Sequence, residues 1–149
     1  LFSADYEKIN SATALRLTIW NTAYSIFKEH PINGIGPRGF RYVYTEFAEP
    51  DDYFLEKKLP PTQPHMLILE ILAETGLIGL AGFLLLLYFL IKSTRHIVNS
   101  AYGFVFLIPV LVAVFPFNAH MAFYGSIWSS MIWLLIAFYI SSLNQPLFK

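Results

Sequence analysis

Four side chains in the first 65 residues have the chemistry to act on a substrate: Arg16, Arg38, Arg41 and His65. A guanidinium presents a fixed fork of donors that pairs bidentately with phosphate oxygens. Arg16 stands four residues before Trp20, so a helix puts both on one face. There Arg16 either clamps an anion or stacks and snorkels along the indole. Arg38 and Arg41 border a glycine turn and are placed to assist, which makes Arg38, Arg41 and Trp20 candidate substrate-binding residues. His65 follows Pro60-Pro61-Thr62-Gln63-Pro64, a stretch that holds the chain extended, and it opens an apolar helix. A helix N-terminus carries partial positive charge, which favours neutral imidazole. Neutral imidazole is the form a general base needs. The plainer alternative is an interfacial histidine whose hydrogen bonds are satisfied locally.

Two other clusters carry less. Gly34-Ile35-Gly36-Pro37-Arg38-Gly39 spells G-x-G-x-x-G. A dinucleotide loop needs a buried strand before it, a helix after it and an acidic residue about 20 positions on. Here a proline-ended helix precedes it and Pro37 interrupts it, so the segment is expected to be a tight turn. Glu49, Asp51, Asp52 and Glu56 lack the spacing of a calcium loop and have no nearby histidine. They read as a solvated acidic loop, and no metal site is expected.

The elements that must position these residues follow from charge and hydropathy. The chain has 149 residues, of which 56% are hydrophobic and only 13% charged. Soluble domains carry about 25% charged residues, so this is a membrane-type composition rather than a disordered one. Lys+Arg and Asp+Glu balance at 10 each, which argues against a nucleic-acid partner. The absence of cysteine excludes disulfides, zinc–thiolate sites and thiol nucleophiles. Most charges fall in residues 1–65, and from residue 96 to residue 148 there is no formally charged side chain.

Spanning a bilayer takes about 20 mostly apolar residues. Three transmembrane helices are expected, over about 66–91, 101–117 and 121–143. Glu70 and Glu74 lie in the first turns of the first span and should sit at the interface or face protein. Pro109 and Pro116 are tolerable inside a membrane bundle, and the turn over 118–120 makes the last two spans a hairpin. In the front half, Ala12, Leu15, Ile19, Ala23, Ile26 and Phe27 recur at helical spacing. They predict a helix over about 11–29, capped by Ser11 and ended at His30-Pro31. Residues 31–64, rich in proline, glycine and aromatics, read as an ordered loop with a short helix near 40–48. The short basic loop Lys92–His96 marks the cytoplasmic side. Residues 1–65 would then be periplasmic and residues 66–149 the transmembrane region, with Lys149 returning inside. The chain begins without Met and reads like the middle of a longer protein.

His65-Met66, nine residues, then Gly76-Leu77-Ile78-Gly79 resembles the signature of the O-antigen ligase and polymerase superfamily. Arg16-Leu-Thr-Ile-Trp20 resembles that family's Arg-x-x-x-Trp stretch. His30-Pro31-Ile-Asn-Gly34-Ile-Gly36 resembles its His-Pro-x-x-Gly-x-Gly stretch. The three segments occur in the family's order over residues 16–91. One departure is Met66, where the family usually has a polar residue that could bond the histidine. A second is an essential arginine that the family carries upstream of this sequence, so the resemblance implies a piece that is inactive alone.

The resemblance implies an all-helical, multi-pass protein of the bacterial inner membrane. Its expected activity is glycan transfer from undecaprenyl diphosphate to an acceptor hydroxyl such as a lipid A–core sugar, with membrane lipid around it. His65 would be the general base and Arg16 the clamp on the diphosphate. Gly34, Gly36, Gly76 and Gly79 would be motif glycines, the last two letting a neighbouring helix approach closely. Arginine can supply the charge stabilisation a metal would otherwise give, so neither metal nor cofactor is expected. An O-antigen polymerase or a protein O-oligosaccharyltransferase would differ only in acceptor. A transporter or non-catalytic subunit would bury ionisable residues in mid-helix, and the last two spans have none.

Overall fold

The computed structural model describes residues 8–100, 102–118 and 122–143. His120, most of the 118–120 turn and Lys149 lie outside them. The described residues are helical, without strands. The helices are α1 (Arg16–Glu29), α2 (Phe40–Phe47), α3 (Tyr53–Glu56), α4 (Leu67–Ser93), a 3-10 helix (Thr94–Asn99), α5 (Gly103–Ala113) and α6 (Ser126–Leu143).

The first helix starts later than its hydrophobic spacing predicts. Residues 8–12 are helical, but Ala14 and Leu15 take positive φ (54° and 61°), and α1 begins at Arg16. Asn10, not Ser11, serves the new start: its Oδ1 accepts from Thr18 N at 3.4 Å and its Nδ2 donates to Thr18 Oγ1 at 2.8 Å. Ser11 instead donates to Lys8 O. At the other end His30 is the C-cap, as the His-Pro pair requires. Ile19, Ala23 and Ile26 of α1 pack with Phe40 and Tyr44 of α2 and Ala73 of α4 into a first core.

The apolar half forms a second core, with Ile71, Phe83 and Leu90 of α4 packed against Leu107, Val110, Ile132, Ile136 and Tyr139. Two stretches are long and apolar enough to cross a membrane, Leu67–Ile97 and Ser126–Leu143. The expected middle span is shorter than its hydropathy suggested. Eleven helical residues in α5 give about 17 Å of rise, against roughly 30 Å of hydrocarbon. Thr75 Oγ1 meets Tyr124 OH at 2.7 Å and Ser93 Oγ meets Tyr139 OH at 2.8 Å. These ties, one just ahead of α6 and one near its end, run α4 and α6 in the same direction. Large apolar side chains such as Leu84, Leu85, Phe104, Ile108, Trp133 and Leu134 point outwards, which suits a hydrocarbon solvent and not water.

Candidate functional site

The frame of the site is a break in α4. Gly76 takes φ 61° and ψ −154° inside that helix, a conformation open essentially to glycine. Such a break orphans backbone groups, which cost several kcal/mol each in an apolar setting. The turn after α1 satisfies them from both sides. Ile35 N donates to Ala73 O (3.1 Å) and Gly36 N to Glu74 O (2.9 Å), while Leu77 N donates to Pro31 O (2.9 Å) and Ile78 N to Ile32 O (3.1 Å). The two backbones touch. A Cβ on Gly34 would lie 2.4 Å from Glu74 C, and one on Gly76 2.4 Å from Ile32 O. Gly34-x-Gly36 is therefore a tight turn, as expected, and its job is to splint the helix. The Gly76/Gly79 pair behaves differently from the helix-packing surface expected of it: Gly76 admits the turn, and Gly79 sits over the Thr75 side chain.

Two carboxylates fix the flanking loops to the same helix. Glu74, 2% exposed, accepts from the backbone N–H of Arg38 and, at 3.3 Å, from that of Phe40. Glu70, 3% exposed, accepts from Phe123 N at 2.9 Å and Tyr124 N at 3.2 Å. Both face protein. The helix start lacks a side-chain cap at Met66, and Asn118 O and Pro116 O take the N–H groups of Leu67 and Ile68 instead.

His65 sits just before α4 with φ 53°, and Arg38 has φ 63°. Positive φ at a non-glycine residue stores strain that a rigid surrounding must hold, and such residues cluster at functional sites. The His65 imidazole is half-buried, with Gln63 Nε2 3.1 Å from its Nδ1. Burial first, and then the positive charge of Arg16, lowers its pKa below the usual imidazole value. Neutral imidazole is thus favoured as the sequence suggested, and desolvation and a neighbouring cation are the causes. With the amide nitrogen towards Nδ1 the amide donates; a half-turn of the amide makes Nδ1–H donate to Gln63 Oε1 and frees the Nε2 lone pair.

The structure brings Arg16 and His65 into one electrostatic neighbourhood, and Gln63, which touches His65, lines a cavity together with Arg38. Arg38, Thr62 and Gln63 face Ala122, Gly125 and Trp128 across a cavity of about 460 Å³. Arg16, His65, Arg41 and Trp20 are not in its lining; Arg41 Nε and Trp20 Nε1 are buried without hydrogen-bond partners. The acidic loop also departs from expectation. Asp52 is 3% exposed, accepts from Tyr44 OH at 2.7 Å, and caps α3 through Phe54 N and Leu55 N. Burial and Asp52 raise the pKa of Tyr44 above its ordinary value. Gln63 was not singled out by sequence reasoning, although a polar residue two positions before a histidine in a proline-fixed segment is a usable signal.

The sequence profile of the O-antigen ligase family matches residues 7–84, a stretch that contains all three motif segments. A Rickettsia conorii protein carrying the name "Putative polysaccharide ligase" is 32% identical over 141 residues, covering 90% of this chain and 33% of its own length. A like-named Rickettsia bellii protein is 34% identical over 142 residues with the same coverage. One from Rickettsia typhi is 38% identical over 96 residues, 64% of this chain and 24% of its own. The chain spans about a third of the length of these first two relatives. No solved structure matches it. With more than half of its residues under the family profile, and its motif glycines locked together at the α4 break, the chain belongs to the O-antigen ligase family.

Proposed function

We propose that the full-length protein is an inner-membrane glycosyltransferase that moves a glycan from undecaprenyl diphosphate to an acceptor hydroxyl, such as a sugar of lipid A–core. His65 Nε2 takes the acceptor's hydroxyl proton while Gln63 Oε1 holds Nδ1–H. The acceptor oxygen attacks the anomeric carbon as that carbon's bond to the diphosphate oxygen breaks. Arg16 receives the charge that develops on the leaving oxygen, and Arg38, which lines the cavity with Gln63, shares it. A single displacement inverts the anomeric centre. Two guanidinium groups supply the stabilisation a divalent metal would otherwise give, so the reaction runs without one. The observation that carries this reading is a half-buried imidazole that feels the charge of Arg16. The names of the Rickettsia relatives favour ligation over polymerisation.

A lipid-linked donor suits the cavity's surroundings. Trp128 also lines an apolar groove of about 210 Å³ with Pro109, Val112, Met131 and Leu135, between α5 and α6. A diphosphate at Arg38 would continue into that groove as a prenyl tail. In this reading residues 1–65 lie in the periplasm and the basic Lys92–His96 stretch in the cytoplasm. The test is transfer by the reconstituted full-length protein, with an undecaprenyl diphosphate glycan, a lipid A–core acceptor and excess EDTA. The expected outcome is an inverted glycoside plus undecaprenyl diphosphate, insensitive to EDTA. No transfer, retention at the anomeric carbon, or full inhibition by EDTA would overturn it.

A further inference from the structure

A second cavity has neither His65 nor Arg16 in its lining. It encloses about 630 Å³ between α1, the end of α2 and α3, within the size range of ligand sites. Its α1 wall is a polar stripe of Thr18, Asn21 and Ser25 at three- and four-residue spacing. At 3.6 residues per turn that stripe is on the side of α1 away from Arg16. Phe47 and the half-exposed Tyr53 add aromatic surface. Glu49, Asp51 and Glu56 complete the rim. The floor is preformed: Thr22 and Asp52 are each 3% exposed, and Asp52 is held by Tyr44 and the start of α3.

We infer that this groove holds a stretch of glycan built from neutral or amino sugars, at a distance from the bond being made. Hydroxyl and amide side chains match the alternating donors and acceptors of sugar hydroxyls. An aromatic ring offers its negative face to the apolar C–H face of a sugar ring. The carboxylates set the selectivity. They attract an amino sugar and repel a uronic or phosphorylated one. Lys57 Nζ, 5.8 Å from the centre of the Tyr53 ring, stands beside the groove and is not part of its lining.

The inference rests on the glycan-transfer reading, and a binding measurement separates the two. The full-length protein in detergent is titrated with chitobiose, N,N′-diacetylchitobiose and a uronic-acid disaccharide, followed by saturation-transfer NMR and calorimetry. The first two should bind, and the third should bind about tenfold more weakly, the scale of a like-charge contact near a protein surface. Tyr53→Ala and Ser25→Leu should each weaken the first two about five- to tenfold, the scale of a lost aromatic contact. Both should leave the melting temperature in place, because Tyr53 is exposed and Ser25 half-buried. Asp51→Asn with Glu56→Gln should reduce the discrimination against the uronic sugar, Glu49 and Asp52 being left in the lining. Glycan from donor and glycan from acceptor are then told apart by which KM the Tyr53→Ala enzyme raises. Absent binding of neutral and amino sugars, or binding unchanged in both variants, overturns the groove while His65-dependent transfer stands. Intact sugar binding with no transfer overturns the proposed reaction instead.

Discussion

At the residue scale, His65 and Arg16 act on one another. Burial and the Arg16 charge hold the imidazole pKa below its usual 6.5. The unfolded chain regains the usual value, so between 6.5 and the lower folded value the unfolded state binds the extra proton. Stability is therefore lost as pH falls through that window. Arg16→Gln removes the cation but not the burial. We expect the His65 pKa in NMR titration to rise while staying below 6.5; an unchanged pKa would separate the two residues. Arg16→Lys keeps the charge but not the bidentate fork. It should cost the full-length enzyme about 2–4 kcal/mol of transition-state stabilisation, roughly a hundredfold or more in rate. Near-normal transfer would make Arg16 structural. Both residues stand out in the sequence as candidates because their types and order match a family motif. The roles of Gln63 and Asn10 were not legible, because each depends on a partner that only folding brings close.

At the scale of elements, the distinctive feature is the splint between the turn at Pro31–Gly36 and the α4 break. Sequence periodicity gave a continuous span, since an interruption at one glycine leaves the hydrophobic pattern intact. It read the acidic residues better: Glu70 and Glu74 do face protein, and the uncharged stretch does start after them. The glycines are not equivalent. Gly36 has φ +96° and open space around its missing Cβ, whereas Gly34 and Gly76 meet backbone at 2.4 Å. Gly36→Ala should cost about 1 kcal/mol of stability, from strain alone. Gly34→Ala and Gly76→Ala should each cost about 3 kcal/mol or more, strain and overpacking together. Thermal unfolding in detergent checks the order, and equal losses at all three positions would argue against the close approach.

At the scale of the molecule, a charged front half with its own small apolar core and an apolar membrane-type half share α4, and the candidate site lies where they meet. Charge segregation along the sequence made that division legible. The length of α5 was not legible, because Val114-Phe115-Pro116-Phe117 beyond its end continue its apolar run. Reporter fusions to the full-length protein at Asp51 and Ser93 test the orientation. Alkaline phosphatase should be active at Asp51 and inactive at Ser93, and the reverse would put His65 on the cytoplasmic face. The central claim, that His65 is the general base, is tested most directly by His65→Ala beside His30→Ala in the full-length protein. His30 caps α1 and lies edge-on to Phe47 at 6.1 Å, a local role. Removal of a positioned base costs about 10²–10⁴ in rate. His65→Ala should insert normally and accumulate undecaprenyl-linked glycan, while His30→Ala retains substantial transfer. Substantial transfer by a well-inserted His65→Ala protein would contradict the account.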